Sequence, residues 1–238
     1  MDEFAIPPER PILKSKMITV TDLQTDEERA AHMLQCLQGV VRCCTLCELG
    51  RQNCVERNTE FDPHVFSTMT ISKWMVVGQN PGFNECLQHE PFVGDAGKNF
   101  NERIQRHGLT RRRFYVSNAV KCHTLGNEQP SPEQVDICSK FLQLEIAILK
   151  PTLVVTLGAV PFQAFCPALD YSSSLGKIHH SKRFDVKVFP VYHPSPRNMN
   201  DLGRRSKFYK DVETLCKLIQ AFEKRNDTTS HLSSAASE

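Results

Sequence analysis

The chain has no apolar run approaching the roughly 18 or more consecutive residues that span a bilayer. Its first residues, MDEFAIPPERPILK, also lack the charged-then-apolar pattern of a secretory leader. A soluble intracellular protein with no membrane partner is therefore expected, nuclear if the source is eukaryotic and otherwise in the cytoplasm. Charge of one sign is scarce as well. The formal net charge is +2, too small to demand a polyanionic partner, although Arg111, Arg112 and Arg113, and Arg204 with Arg205, form local basic patches suited to phosphates. There is no internal repeat, and compositional bias is confined to the ends. Residues 1–27 are polar and proline-containing, and residues 225–238, RNDTTSHLSSAASE, are small and polar, so both are expected to be flexible tails around one domain at 28–224. At 238 residues with 40% hydrophobic composition, the chain suffices for one sizeable core.

What is present begins with ten cysteines. Without a leader they read as reduced thiols or metal ligands rather than disulfides. The apolar runs KWMVVG, RFYVSNAV, TLVVTLG and VKVFPVY are short and rich in β-branched or aromatic residues, and they alternate with helical patterns near 94–107, 133–149, 159–166 and 204–223. This alternation predicts an α/β fold, a single domain on a mainly parallel four-stranded sheet flanked by helices. In such sheets ligands sit beyond the carboxyl ends of the strands. The first run breaks abruptly into Gly78-Gln79-Asn80-Pro81-Gly82, Asn118 ends the second, and HPSPRN from His193 to Asn198 follows the last.

Cys44 and Cys47 form a C-x2-C pair, Cys122 follows the second strand, and Cys138 lies in the next helical pattern. Two clustered and two distant thiolates suit a four-sulfur site for zinc or an iron–sulfur cluster, and spacing alone does not choose between them or exclude buried free thiols. Cys36, Cys54, Cys86, Cys166 and Cys216 are isolated and read as structural. Taken singly, Asn80 and Asn118 read as turn caps, Phe92 as core and His193 as a loop histidine.

Taken in order, GQNPG at 78–82, PFVGDAG at 91–97, SNAVKC at 117–122, Cys138 sixteen positions beyond Cys122, VVTLGAVPFQAF at 154–165 and HPSPRN at 193–198 resemble the uracil-DNA glycosylase superfamily. The resemblance covers roughly residues 36–222 and is closest to family 4, whose members carry an iron–sulfur cluster. It implies a structural [4Fe–4S] cluster on Cys44, Cys47, Cys122 and Cys138, with zinc as the alternative. It further implies that Phe92 stacks on an extruded base, that Asn118 reads the uracil edge and that His193 lies against a uracil carbonyl. Asn80 is expected to hold the attacking water, and Gln79 to offer its backbone N–H to the base. Ser195 and Arg197 are expected at the DNA, with Arg197, Asn198 and Met199 as the wedge into the duplex and Lys121, Arg204, Arg205 and Lys207 near phosphates.

The chain departs from the family pattern at two places. GQNPG stands where family 4 usually reads GEAPG, and CHTLGNEQPS replaces Arg-Pro-Pro after the cluster cysteine. Asparagine third in the first motif is more like the mismatch-specific and single-strand-selective branches. No Arg-rich insert follows Cys122, so covalent trapping of abasic DNA by His123 is not expected. The activity implied is that of a monomeric, monofunctional DNA-repair glycosylase acting on uracil in single- or double-stranded DNA, since no lysine occupies the motif turns to form a Schiff base. The alternatives are a non-cleaving binder of uracil-containing or abasic DNA, a glycosylase for another deaminated base, and a zinc-stabilised nucleotide binder.

Overall fold

The computed structural model describes residues 25–235, with side chains to Arg225. Its first helix, α1 (Asp26–Arg42), begins at a reciprocal cap: Thr25 Oγ1 accepts from Glu28 N at 3.1 Å, and the Glu28 carboxylate accepts from Thr25 N at 2.9 Å. The expected tail 1–27 thus lies outside the described residues except for Thr25, Asp26 and Glu27, which open this helix. After α2 (Glu48–Glu56), the chain alternates through β1 (Trp74–Gly78), α3 (Phe83–Gln88), α4 (Asp95–Gln105), β2 (Tyr115–Asn118), α5 (Pro132–Leu149), β3 (Leu153–Leu157), α6 (Ala159–Phe165) and α7 (Tyr171–Ser174). A hairpin of β4 (His179–Ser181) and β5 (Val186–Val191) leads to α8 (Pro196–Asn200) and α9 (Leu202–Ala235). The last helix runs through most of 225–238, the stretch whose composition reads as a tail.

The sheet has five strands in the order β2-β1-β3-β5-β4, not the expected four. Four are parallel, and β4 pairs antiparallel with β5 at the edge. This fifth strand is only His179-His180-Ser181, too short and polar for any alternation to show. Its pairing with Val186, Lys187 and Val188 makes it a strand. The other four runs are apolar throughout because both faces are covered. Met75, Val77 and Val154 face a core built with α1, α5 and α6, where Leu34, Phe141 and Phe162 pack. Trp74, Val76 and Val155 face the opposite core with Phe100 of α4 and Phe208 of α9. Each large side chain buried there contributes about 1.5–3 kcal/mol of transfer free energy.

One ionic group crosses the first core. Lys121 Nζ is fully buried and donates to Glu145 Oε2 at 2.6 Å, Ser117 Oγ at 2.6 Å and the Asn118 carbonyl at 2.9 Å. Glu145 Oε1 also accepts from Tyr115 and Ser117, each at 2.7 Å. Lys121 is therefore a strut between β2 and α5, and the expectation that it meets phosphate is wrong: its charge is neutralised inside the protein.

Candidate functional site

A cleft of about 650 Å³ opens at the carboxyl ends of β1, β2 and β5. Gln79, Asn80, Phe92, Asn118, His193, Ser195 and Arg197 all line it. So do Phe83, Glu85, Asp95 and Asn127, which the sequence reading did not single out. Asn118 is 2% exposed, and its carboxamide makes no hydrogen bond to the described residues, so a donor and an acceptor remain available at the cleft. Gly78 separates it from Phe92: a Cβ on Gly78 would stand 2.5 Å from Asn118 Oδ1 and 2.5 Å from Phe92 Cζ. Only glycine lets an amide and an aromatic ring converge there.

The Phe92 ring is held from behind. Its backbone has φ 60°, an uncommon conformation for a non-glycine residue. Gly97 at the start of α4 permits it, since a Cβ there would meet Phe92 O at 1.8 Å. The Arg111 guanidinium donates to the Phe92 carbonyl at 3.1 Å and to the Pro91 carbonyl, and pairs with Glu90 at 3.0 Å. Arg111 is thus a brace for this loop. Glu85 closes the other side by accepting from Gly94 N at 2.8 Å.

The orientation of the Asn80 amide follows from what its neighbours can give. Thr124 Oγ1 donates its only proton to the Glu128 carbonyl at 2.6 Å, so towards Asn80 it can only accept. The Pro81 carbonyl can only accept as well. Asn80 therefore turns its NH₂ to both, at 3.0 Å and 3.1 Å, and its Oδ1 the other way, where Gln79 Nε2 donates at 3.0 Å. The Pro81 carbonyl is further bound by His123 Nδ1 at 2.9 Å. The two stretches that depart from the family pattern thus meet in the fold. His123 is buried in that contact and against Phe61, not presented to the cleft.

His193 is partly buried, and burial pushes its imidazole towards the neutral form, with Glu85 partly opposing. Its loop is fixed by Asn99 Nδ2 on the Pro194 carbonyl and Asn198 Nδ2 on the His193 carbonyl, both at 2.8 Å. Ser195 and Arg197 stand at the cleft mouth. The expected wedge holds only in part: Met199 is 8% exposed within the second core and the Asn198 amide is held between His193 and Arg204, so neither is free to enter a base stack, whereas Arg197 is exposed. Lys207 is tied to Asp211 and to the Leu175 carbonyl.

Of the four singled-out cysteines, Cys44, Cys122 and Cys138 are buried and Cys47 is partly buried, capping α2 through Gly50 N at 3.5 Å. Burial raises the Cys122 thiol, and the other three cysteines raise it further. Cys138 is pushed up to about 11, again by burial first and then by Cys47 and Cys44, while the Lys121 backbone and charge oppose the shift. The four sulfurs are therefore within electrostatic reach of one another, although among the described residues no three His, Cys, Asp or Glu side chains stand close enough to hold one metal ion. Beside them His64, bridged antiparallel to Cys122, is buried with both ring nitrogens lacking a hydrogen-bond partner. Three buried cysteines and one partly buried one in mutual reach, beside a buried imidazole, are compatible in chemistry with a group that brings further acceptors.

The family model described as Uracil DNA glycosylase superfamily matches residues 68–215. The chain is 31% identical over 172 residues to a type-4 uracil-DNA glycosylase of Archaeoglobus fulgidus, covering 68% of this chain and 83% of that one. A type-4 uracil-DNA glycosylase of Thermotoga maritima is 30% identical over 169 residues, with coverage of 69% and 82%. One from Pyrobaculum aerophilum is 30% identical over 188 residues, with coverage of 75% and 91%.

Proposed function

The chain belongs to the uracil-DNA glycosylase superfamily, and from that membership we propose how its cleft removes uracil from DNA. The protein is a monofunctional DNA-repair glycosylase that hydrolyses the N-glycosidic bond of uracil and leaves an abasic site. The observation that carries the residue assignments is the unpartnered, buried amide of Asn118 beside Phe92 across Gly78. Phe92 stacks on the extruded base, worth about 1–3 kcal/mol, and does not distinguish one base from another. Asn118 supplies identity: its NH₂ donates to O4 and its carbonyl accepts from N3–H. Cytosine presents the reverse pattern and would leave both ends mismatched. Gln79 adds its backbone N–H.

Departure of the base leaves an oxocarbenium-like sugar and a uracil anion. Neutral His193 donates to the developing oxyanion, a contribution whose loss in other enzymes costs about 2.7–4 kcal/mol. Asn80 Oδ1, turned away from Thr124 and Pro81, holds the water that captures the sugar. An amide is a weak base, so the barrier falls mainly through stabilisation of the leaving anion. Ser195 and Arg197 contact the DNA backbone at the mouth, and the protein works as a monomer inside the cell.

Cys44, Cys47, Cys122 and Cys138 hold a structural [4Fe–4S] cluster that ties the α1–α2 connection to β2 and α5. Each thiolate of such a cluster binds its own iron, so the sulfurs spread more widely than around one zinc at about 2.3 Å. The mutual influence of Cys44, Cys47, Cys122 and Cys138 supports their acting as one ligand set. The test is chromatographic detection of free uracil after incubation with an oligonucleotide carrying one uracil, with cytosine at the same place as control. Iron and sulfide are assayed on anaerobically purified protein. Uracil without cytosine, and about four iron per chain, is expected. Release of both bases would overturn the reading of Asn118, and stoichiometric zinc without iron would overturn the cluster.

A further inference from the structure

The turn that follows Thr124 presents to solvent an apolar side chain for which the core has no place. Leu125 is 84% exposed. It opens a short 3-10 turn, Leu125–Asn127, in which Gly126 and Asn127 both have positive φ, 64° and 56°. The turn is closed by Asn127 N on the Thr124 carbonyl at 3.0 Å and Glu128 N on the Leu125 carbonyl at 3.3 Å. Its stem is tied down as well. The His123 carbonyl accepts from Asn53 Nδ2 at 3.0 Å, His123 N donates to the Pro63 carbonyl at 2.8 Å, and Thr124 is bound by Asn80. Leu125 is therefore held outward by a braced loop.

Its place is the rim of the cleft. Asn127, two residues on, lines the cleft, and its Oδ1 stands 3.6 Å from where a Cβ of Gly82 would be. Phe83, also lining the cleft, is 54% exposed and packs at a tilt against Phe61, ring centroids 5.6 Å apart. Ser195 and cationic Arg197 also line the cleft. The opening thus offers groups suited to phosphate as well as apolar groups suited to the faces of stacked bases. Of the three residues expected to fill the stack from the HPSPRN loop, Asn198 is bonded and Met199 is buried, while Arg197 is exposed but cationic and suits phosphate better than the apolar gap between base pairs.

We propose that Leu125 enters the base stack of duplex substrate in the space left by the extruded nucleotide. The proposal rests on reading the cleft as a uracil pocket. A leucine has no polar group to leave unpaired between base pairs, and apolar wedges of this kind offset the unstacking that extrusion requires. Because the turn is already fixed, little ordering remains to be done on binding. The same turn holds the Asn80 amide through Thr124, so wedge and water-holding group move as one unit.

The test compares wild type with Leu125→Ala and Leu125→Met in single-turnover release of uracil from a duplex and from the same sequence as a single strand. Leu125→Ala is expected to lower the duplex rate by about tenfold or more, because the stack gap stays unfilled, with the single-strand rate little changed and Leu125→Met retaining most duplex activity. Equal losses on both substrates, or no loss on either, would overturn the proposal. A parallel titration reads 2-aminopurine placed beside the uracil in a duplex, using Asn80→Ala protein with and without Leu125→Ala. Fluorescence enhancement that disappears with Leu125→Ala is expected, and enhancement that persists would overturn the proposal. Wild type that releases no uracil from either substrate would contradict the glycosylase reading alone, since the fluorescence comparison still decides the role of Leu125.

Discussion

Thr124 and Asn80 are 44 residues apart, and a single hydroxyl proton decides how the second is turned. Thr124→Val removes the acceptor while keeping the shape. We expect it to lower uracil release by about tenfold, the scale of losing a hydrogen bond of roughly 1.4 kcal/mol to a positioned group, with Thr124→Ser restoring most of the rate. A valine variant with the wild-type rate would show that the amide is held without it. At His193 the sign of the shift matters. Its imidazole lies below the ordinary value of 6.5, so the folded protein keeps it neutral while the unfolded chain takes up a proton. That contribution to stability is complete above 6.5 and is lost as pH falls through 6.5 towards the folded value. Release driven by neutral imidazole is expected to be flat with pH from 6.5 upward through neutrality. A rate that falls steadily as pH rises there would identify imidazolium as the working form instead.

At the scale of elements, the Lys121–Glu145 strut joins the strand end that carries Asn118 to the helix that carries Cys138. Lys121→Met leaves the buried Glu145 carboxylate without a counter-charge, and a loss of about 3–5 kcal/mol is expected in denaturant unfolding. Adding Glu145→Leu is expected to recover much of it, and a single variant as stable as wild type would contradict the pairing. The four strands with both faces covered were legible because burial leaves an uninterrupted apolar run. Helices α4, α5, α6 and α9 were legible from their periodicity near the expected ranges. The edge strand β4 was not, since three polar residues acquire strand geometry only from β5. Helix α1 was hidden by its polar surface, although the Thr25-to-Glu28 capping signature was there to be read. The cleft residues named from motifs do gather in one place. Thr124, Arg111 and Glu85 were invisible in advance because their meaning lies in partners brought close only by the fold. The expectations for Met199, Lys121 and Lys207 failed for the same reason: proximity to a motif in sequence says nothing about which side chains the core claims.

For the whole molecule, the mainly parallel sheet sets the cleft at one end, and the four cysteines and the buried strut stand outside its lining, joined to it through residues 118–124. The near-balanced charge supplies no global field for DNA, so the proposed contact of Arg197 with the backbone has to act locally. The most direct test of the central claim is single-turnover uracil release, read by alkaline cleavage of a singly substituted oligonucleotide, for wild type, Asn80→Ala and His193→Ala. Release by wild type is expected, with His193→Ala about 10²–10³ slower through loss of the oxyanion donor and Asn80→Ala also clearly slower. Both variants cleaving at the wild-type rate, or an intact cluster-bearing wild type releasing no uracil, would contradict it.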